Sequence, residues 1–174
     1  MNLRLATAAD FPAMRVVMAA AIGRLQNDYL TAEQVAASHA VMGLDTQLVD
    51  DGTYFVALEG DRIVGCGGWS RRATLYGGDH SSDLREPRLL DPATEPARIR
   101  AMYTHPDAAR RGVGRLILAA VEQAAHAEGF TAAQLMATLS GEPLYRASGY
   151  TDVERIMARS DGVDVPLILM TKRI

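Results

Sequence analysis

The sequence is poor in the residues and segments that disulfide-bonded, metal-binding and membrane proteins require. It has a single cysteine, Cys66, so no internal disulfide can form. Four scattered histidines and this one thiol give no cluster with the spacing of metal ligands, and no apolar run approaches the roughly 18 residues of a membrane span. Asp10, Pro12 and Arg15 interrupt the position where a secretory leader would have its apolar segment. We therefore expect a soluble cytoplasmic protein with no metal and no membrane partner.

An excess of positive charge is also absent. The formal net charge is −3 and the isoelectric point is about 5.8. Nucleic-acid-binding domains usually have a strongly basic face, so nucleic acid is not an expected partner. A hydrophobic content of 48% with 22% charged residues is ordinary for a globular protein. At 174 residues the chain is long enough to bury one substantial core, and we predict a single domain over residues 1–174.

Strand and helix signals alternate in the first part of the chain. A short strand is predicted over Leu3–Ala6, followed by a helix that Asp10 caps. The apolar face of this helix comprises Met14, Val17, Met18, Ala21, Ile22 and Leu25. Thr31 and Gln34 have the spacing of a capping box, which predicts a second helix that ends near Met42.

A hairpin and a long irregular segment follow. The runs Tyr54–Glu59 and Arg62–Trp69 have strand character, and the Gly60-Asp61 pair between them is typical of a hairpin turn. Three glycines within the second run predict a bulge or the close approach of another segment. Residues 71–96 show no sustained period and contain three prolines. Such a long loop inside a compact domain is usually functional or disordered, so we interpret it as either a lid over a substrate site or a flexible excursion.

The C-terminal part completes a mixed α/β pattern. A strand is predicted over Ala132–Thr138 and a short helix over Gly141–Ser148, with Gly149 closing it. The runs Thr151–Ala158 and Val163–Lys172 predict a final hairpin. The predicted order of elements over the whole chain is therefore βααββ–βαβ–αββ.

Residues 98–128 are the stretch around which the rest of the chain is organised. Ile99–Thr104 is short and rich in large side chains, which predicts a strand. From Val113 onward the apolar residues recur at the spacing of one helix face. Gly129 is placed to end that helix, because glycine enters the left-handed conformation without steric cost.

A glycine-rich loop lies between this strand and helix. Its two glycines, Gly112 and Gly114, have no β-carbon, so a ligand can lie directly against the backbone. The first amides of a helix lack internal partners and lie at the positive end of its dipole, which favours a phosphate. Three arginines, Arg110, Arg111 and Arg115, add positive charge. The same pattern also describes a tight turn whose glycines serve packing and whose arginines face water.

The loop excludes two common phosphate-binding motifs and resembles a third. It contains no Gly-Lys-Ser/Thr, and Ile117 takes the place of the third glycine of the dinucleotide fingerprint. It resembles the acetyl-CoA-binding motif of the GCN5-related N-acetyltransferases (GNAT), Gln/Arg-x-x-Gly-x-Gly/Ala. Gly112 and Gly114 match the small residues of that motif; Ala109 stands where Gln or Arg is usual, and Arg110 is the candidate to supply that charge.

This resemblance covers essentially the full chain and implies a fold. The expected architecture is α/β (α+β), the GNAT acyl-CoA N-acyltransferase fold, with a mixed central sheet of about seven strands flanked by about four helices. It also implies that the strand before the loop splays from the next strand and opens a gap for the coenzyme. No metal is expected in such a site.

The resemblance further implies which backbone groups bind the cosubstrate, acetyl-CoA. The main chain of Met102, Tyr103 and Thr104 would bind the pantetheine arm and the oxyanion. Unpaired backbone donors in a splayed sheet are arranged in advance for developing negative charge. The pyrophosphate would be bound by the consecutive amides of Arg110, Arg111, Gly112, Val113, Gly114 and Arg115.

A second motif lies near the end of the chain. Leu144–Tyr150 resembles the late GNAT signature Leu-Tyr-x-x-x-Gly-Phe/Tyr, whose tyrosine faces the coenzyme sulfur. Tyr145 would then be the general acid for the departing thiolate. A phenol with a pKa near 10 donates somewhat uphill to a thiolate whose conjugate acid has a pKa near 8.5, so we expect help from positioning or from a modest depression of the phenol pKa. The alternative is a half-buried tyrosine that packs beside Tyr150.

The acceptor side has several candidates and no single one stands out. Many GNAT proteins have a glutamate where this chain has Arg98. Arg98 and Arg100 share one face of the strand and form either a seat for an acceptor carboxylate or a solvated pair at the sheet edge. Asp79, His80 and Glu95 are each candidates for the general base, as is bulk solvent.

The leading interpretation is an acetyl-CoA-dependent N-acetyltransferase that acts on the primary amine of a small molecule. One alternative is an acetyltransferase for protein N-termini or lysines. Others are a non-catalytic acyl-CoA-binding module and a binder of nucleotide phosphates. The sequence leaves open the identity of the amine and whether the protein forms a homodimer.

Overall fold

The computed structural model describes residues 1–174 and contains one central sheet. Its strands are β1 (Asn2–Leu5), β2 (Tyr54–Glu59), β3 (Arg62–Ser70), β4 (Ala97–Thr104), β5 (Ala132–Thr138), β6 (Thr151–Ser160) and β7 (Val163–Arg173). The seven strands lie in the order β1-β2-β3-β4-β5-β7-β6. Every neighbouring pair is antiparallel except β4 and β5, which are parallel.

Five α-helices connect and cover these strands. They are α1 (Phe11–Ala20), α2 (Ala32–Val41), α3 (Thr46–Asp50), α4 (Val113–Ala127) and α5 (Glu142–Ala147). The predicted mixed sheet and order of elements are confirmed, with α3 as an additional short helix. None of these helices has both the length and the apolar character that a membrane crossing requires.

Two hydrophobic cores lie on opposite faces of the sheet. On one face, the buried side of α4 packs through Ile117 and Val121 onto the strands. On the other face, α1 packs through Met14 and Val17 against a group that includes Tyr54. Complete burial of one such apolar side chain contributes about 1.5–3 kcal/mol, so these two helices hold the sheet rigidly between them.

Glycines in β3 allow α4 to lie very close to the sheet, as the sequence predicts. A β-carbon on Gly65 would lie 2.6 Å from Val113 Cγ1. One on Gly67 would lie 2.2 Å from Met102 Sδ and 2.7 Å from Ile117 Cγ2. Any larger residue would therefore push the helix and β4 away from the sheet centre.

Strand β4 contains a bulge and then leaves its parallel neighbour. Arg100 pairs with Gly68 and Tyr103 pairs with Cys66, so β4 has one residue more than β3 between these pairs. Ala101, inside the bulge, has a φ of 52°, a conformation that costs a non-glycine residue about 1–2 kcal/mol. The pairing of β4 with β5 covers only Ala97–Ile99. Beyond that point β5 pairs with β7 alone, and the splay implied by the GNAT resemblance is confirmed.

The capping predictions have two different outcomes. Thr31 accepts a hydrogen bond from Gln34 N at 3.2 Å while Gln34 returns one to Thr31 N, which confirms the capping box of α2. The prediction that Asp10 caps α1 is wrong. Its carboxylate accepts from the amide of Thr7 at 2.8 Å and is held by both guanidinium nitrogens of Arg4, so it faces away from the first turn of α1.

Residues 71–96 are irregular but attached to the domain at several points. Arg72 pairs with Asp51 at 2.7 Å and Arg71 pairs with Glu128 at 2.6 Å. Leu90 is buried in the core beneath α4. These contacts tie both ends of the segment to regular elements. Whether it moves as a lid stays a prediction.

Candidate active site

The glycine-rich loop makes a tight left-handed path from β4 into α4. A short 3-10 turn over Pro106–Ala108 follows the strand. Arg110 then has a φ of 61° and Gly112 a φ of 87°. No atom lies within 4 Å of the β-carbon position at Gly112, so the backbone conformation, not crowding, requires a glycine there. The open space beside Gly112 is where a ligand can reach the main chain.

Six consecutive backbone amides in this loop, from Arg110 to Arg115, donate to no acceptor within the protein. The first amide with a partner is that of Leu116, which donates to Gly112 O at 2.9 Å. These free donors begin a helix of 15 residues, whose dipole is positive at this end. Free amides on an exposed helix start form a strong anion-binding surface.

The three arginines of the loop differ in their availability. Arg111 forms an ion pair with Glu59 through both of its terminal nitrogens. Arg110 and Arg115 are exposed and take part in no ion pair or side-chain hydrogen bond within the protein. The free positive charge beside the amides therefore comes from Arg110 and Arg115.

The start of α4 is in contact with the region of the second motif. A β-carbon on Gly114 would lie 2.9 Å from Leu144 Cδ2 and 3.7 Å from Thr104 Oγ1. The glycine-rich loop, the end of β4 and α5 thus meet at one place. This place is the open end of the gap between β4 and β5.

Tyr145 on α5 is almost completely buried. Its ring packs edge-to-face on Tyr150, with the ring centroids 5.8 Å apart. Its hydroxyl makes no hydrogen bond within the protein, and burial raises the pKa of Tyr145. Of the two kinds of help expected, the depression of this pKa is not found, because no nearby cation offsets the loss of water, and help from positioning stays a prediction. The packing beside Tyr150 is present; the role as an acid stays a prediction.

Arg98 and Arg100 do not form a solvated edge pair. Arg100 is 3% exposed, and its Nη2 donates to Asp45 Oδ2 and to Gly77 O, each at 2.8 Å. Burial lowers the pKa of Arg100. Arg98 is half-buried and donates to the side chain of Gln134. The solvated-pair interpretation is wrong because β4 is a central strand, and the donors of Arg100 are already engaged by the protein.

Comparison with known proteins decides the family. Residues 50–152 match the family model described as an acetyltransferase (GNAT) domain. The chain belongs to the GNAT acetyltransferase family. It is accordingly an acyltransferase of the N-acetyltransferase type, and acetyl-CoA is the acyl donor of this family. No curated protein sequence matches the chain significantly.

Solved structures share the GNAT fold over the full chain at low sequence identity. A GCN5-related N-acetyltransferase from Rhodopseudomonas palustris is 21% identical, with 99% of this chain and 95% of that one covered and a TM-score of 0.74. A ribosomal-protein-alanine N-acetyltransferase from Brucella melitensis is 18% identical over 100% of both chains, with a TM-score of 0.67. The PaiA N-acetyltransferase from Thermoplasma acidophilum in complex with coenzyme A is 12% identical, covering 99% and 98%, with a TM-score of 0.63.

The candidate bases of this GNAT domain differ in their surroundings. Glu95 accepts two hydrogen bonds from Arg88, which lower its pKa to about 2. The carboxylate of Asp79 accepts from Thr46 N at 2.9 Å and from Arg85 at 3.1 Å. Both carboxylates are therefore held by hydrogen-bond donors of the protein, and for Glu95 the lowered pKa makes the carboxylate a weak base.

His80 retains a free nitrogen. Its Nε2 lies 3.1 Å from the carbonyl oxygen of His39. A carbonyl only accepts, so Nε2 carries the proton and Nδ1 carries the lone pair of the neutral ring. Of the three side chains predicted as bases, His80 through Nδ1 and Asp79 through Oδ2 each keep an acceptor atom without a partner within the protein, whereas both oxygens of Glu95 are engaged.

His80 lines an open cleft of about 360 Å³ on the α1 side of the sheet. The floor includes Met18, Ile22 and Leu44, all buried. Gly43, also in the lining, donates its amide to Tyr103 Oη at 2.9 Å, and Tyr103 belongs to β4 beyond the point where β5 leaves. The complete lining comprises Arg15, Met18, Ala19, Ile22, His39, Met42, Gly43, Leu44, Asp79 and His80.

Sequence reasoning placed Asp79 and His80 near the acceptor but missed the α1 and α2 residues of this cleft. Arg15 and His39 have no motif around them, and they reach the cleft only through the packing of two helices. The helical periodicity of the sequence identifies Met18 in α1 and Ile22 in the π-helical turn Ala21–Leu25 after it as buried, but it gives no sign that they line an open surface.

Proposed function

We propose that the protein transfers the acetyl group of acetyl-CoA to the primary amine of a small molecule, by direct attack within a ternary complex. The observation that carries this proposal is the run of partnerless amides from Arg110 to Arg115 at the mouth of the β4–β5 gap. These residues fit a pyrophosphate, and Arg110 and Arg115 add charge beside it. Acetyl-CoA supplies the thioester that the amine attacks.

Strand β4 would hold the rest of the cosubstrate. Beyond Ile99 its edge toward β5 has no partner strand, so the main chain of Met102, Tyr103 and Thr104 can bind the pantetheine arm. Backbone amides in this position also stabilise the oxyanion that develops on the thioester carbonyl. The close approach of Gly114 to Thr104 and Leu144 sets the width of the entry to this gap.

Tyr145 would donate a proton to the departing thiolate. Because burial raises its pKa, the phenol is protonated throughout the neutral range, as a general acid requires. The same rise in the pKa of Tyr145 makes complete proton transfer to a free thiolate less favourable. We therefore expect the proton to move as the carbon–sulfur bond breaks, when the sulfur is close enough for a hydrogen bond.

The acceptor amine would enter from the opposite face, through the cleft of about 360 Å³. This size is in the range of pockets for small ligands, about 300–1,000 Å³. The free Nδ1 of His80 is the proposed general base for the ammonium group of the acceptor. The apolar floor and the exposed guanidinium of Arg15 favour an acceptor with both an apolar body and a polar end.

A protein N-terminus or lysine is the second candidate acceptor. The similar fold of the ribosomal-protein-alanine N-acetyltransferase from Brucella melitensis is the reason to keep it. A third candidate is binding of acyl-CoA without catalysis, which the amide cradle alone permits. The assembly as a homodimer also remains a proposal.

Release of free thiol from acetyl-CoA separates these functions. The purified protein is assayed with a panel of small primary amines and with unrelated peptides that have free N-termini, and coenzyme A binding is measured by calorimetry. Faster thiol release with small amines supports the proposal, whereas release with peptides alone supports the second candidate. Binding without thiol release supports the binder, and absence of coenzyme A binding contradicts all three.

The role of His80 is tested in the same assay. His80→Gln should lower kcat/KM for the amine and remove the acidic limb of its pH profile, because the base must be unprotonated to act. The titratable and charged side chains that line the cleft with His80 are His39, Asp79 and Arg15. The control is His126→Gln on the exposed face of α4. An equal effect of both substitutions would exclude His80 as the base.

A further inference from the structure

The hydroxyl of Tyr54 contacts the bulge of β4. Tyr54 lies on β2, two strands away from β4, and is 1% exposed. Its Oη donates to the carbonyl oxygen of Ala101 at 3.0 Å. The other polar atom near this hydroxyl is the Cys66 thiol at 3.7 Å, a weak partner. The hydrogen bond to Ala101 is therefore the principal bond of this buried hydroxyl.

Ala101, the residue that Tyr54 contacts, lies in the part of β4 that has no strand pairing. Ala101 and Met102 have no residue opposite them in the ladder with β3 or in the ladder with β5. Ala101 also has a φ of 52°, which alanine does not favour. A residue keeps such an unfavourable backbone conformation only where the contacts around it stabilise that conformation.

Contacts on both sides of the bulge also hold β4 in place. Before it, Arg100 is bonded to Asp45, and after it, Tyr103 accepts a hydrogen bond from Gly43 N. Between them the side chain of Met102 occupies the space that Gly67 leaves in β3. The Tyr54 hydroxyl is thus the contact that determines the orientation of the Ala101 peptide itself.

The orientation of that peptide has a chemical consequence. The chain has no cis peptide bonds, so the carbonyl of Ala101 and the amide N–H of Met102 point in opposite directions across one planar unit. Because the carbonyl points to Tyr54, the N–H of Met102 points away from it. That amide is one of the β4 groups to which the proposed function assigns the pantetheine arm and the oxyanion.

We propose that Tyr54 is a positioning residue for catalysis: its hydroxyl orients the Ala101–Met102 peptide so that the Met102 amide meets the thioester carbonyl. This inference rests on the proposed function. It adds a residue from β2 that belongs neither to the glycine-rich loop nor to the lining of the acceptor cleft. No glycine is needed in the bulge, because the tyrosine holds an alanine in the required conformation.

The test is Tyr54→Phe, which removes the hydroxyl and keeps the ring. Loss of one well-placed oxyanion donor commonly costs about 100-fold or more in kcat, and we expect a misoriented donor to cost about tenfold. Free coenzyme A has no acetyl carbonyl, and the loop amides and the main chain of Tyr103 and Thr104 remain in place to bind it, so its affinity by calorimetry should change less than about twofold. A fall in kcat with unchanged coenzyme A affinity is the result that a purely structural role would not produce.

The matched control is Thr53→Val. Thr53 is also buried, and its hydroxyl donates to a backbone carbonyl, that of Leu48, at 3.2 Å. This substitution removes an equivalent bond one residue away and should leave kcat unchanged. A second variant, Tyr54→Phe with Ala101→Gly, should recover part of the lost kcat, because glycine adopts the bulge conformation without strain.

Two outcomes would overturn the inference. One is a Tyr54→Phe kcat equal to that of the control. The other is a fall in kcat that Ala101→Gly leaves unrelieved, which would place the loss outside this peptide. Failure of the proposed function gives a different result, since wild-type protein would then bind no coenzyme A and release no thiol.

Discussion

Arg100 Nη2 lies 2.8 Å from Asp45 Oδ2, and both side chains are almost completely buried. The carboxylate of Asp45 also accepts from Arg85 at 2.9 Å and from the amide of Gln47 at 3.1 Å. Asp45 therefore joins the start of α3, the centre of β4 and the segment 71–96. Removing one member of a buried ion pair leaves the other charge without water or partner.

We expect Asp45→Ala to lower the free energy of unfolding by about 3–5 kcal/mol, because it leaves Arg100 buried without its carboxylate. Urea denaturation monitored by circular dichroism measures this change. The control is Asp50→Ala at an exposed carboxylate that has no ion pair, where the change should stay within about 0.5 kcal/mol. A loss below about 1 kcal/mol for Asp45→Ala would show that the pair does not hold this region.

Gly112 and Gly52 provide a matched pair for testing the proposed acetyl-CoA loop. Their φ values are 87° and 69°, and no atom lies within 4 Å of the β-carbon position of either. Alanine should therefore destabilise the fold by a similar amount, about 1 kcal/mol, at both positions. Only at Gly112 would the new methyl group lie beside the free amides.

We predict that Gly112→Ala lowers coenzyme A affinity by about tenfold or more, equivalent to about 1.4 kcal/mol, while Gly52→Ala leaves it unchanged. Isothermal titration calorimetry measures the affinity and thermal unfolding measures the shared cost in stability. Equal coenzyme A affinities for the two variants would mean that the ligand does not approach Gly112.

Local signals in the sequence were sufficient for most of the fold. The apolar repeat of α4 and the final hairpin are both present as predicted, and the two residues of the hairpin turn, Asp161 and Gly162, have positive φ. The helix α3 was missed because five residues are too few to show a period. The signal for the start of α3 is Asp45, whose side chain accepts from Gln47 N at 3.1 Å. Many other aspartates in the sequence could cap a helix in the same way, so Asp45 does not stand out.

The sequence predicts the local geometry of the candidate site better than the contacts that distant residues make to it. Gly112 and the free amides after it follow from loop and helix geometry alone. The environment of Arg100 does not, because Asp45, its partner, lies 55 residues away in sequence. The same is true of Tyr54 and Ala101, which are 47 residues apart. Such pairs depend on strand order and on register, neither of which a single sequence specifies.

Asp10 links the stability of the N-terminal region to pH. Hydrogen bonds from Arg4, together with those from Thr7, lower the pKa of Asp10 to about 2. The ordinary pKa of an aspartate is near 3.9, so the folded state favours the ionised form. A depressed pKa gives stability that is fully present above about pH 4 and is lost as the pH falls toward 2.

Asp10→Asn should therefore lower the free energy of unfolding by about 1–2 kcal/mol at pH 7, with Arg4 partly exposed and the pair partly screened. The difference from wild type should shrink as the pH is lowered from 4 to about 2. Denaturant unfolding across this pH range measures it. Asp28→Asn, at an exposed carboxylate without an ion pair, is the control at pH 7. A difference that stays constant down to pH 2 would contradict the linkage.

Tyr145→Phe tests the proposed general acid. Phenylalanine keeps the edge-to-face contact with Tyr150, so stability and coenzyme A affinity should be close to wild type. If the hydroxyl donates the proton, kcat should fall by about 100-fold. Tyr29→Phe, at a residue that is 49% exposed, is the control and should retain full activity.

The pH dependence gives this test a second readout. A general acid acts only while protonated, so its activity is lost as the pH rises through its pKa. Burial raises the pKa of Tyr145 above its ordinary value near 10, and wild-type kcat should consequently show no loss from this group below about pH 10. An alkaline limb near pH 8–9 that disappears in Tyr145→Phe would contradict the raised pKa. Unchanged turnover in Tyr145→Phe would remove the residue from the mechanism.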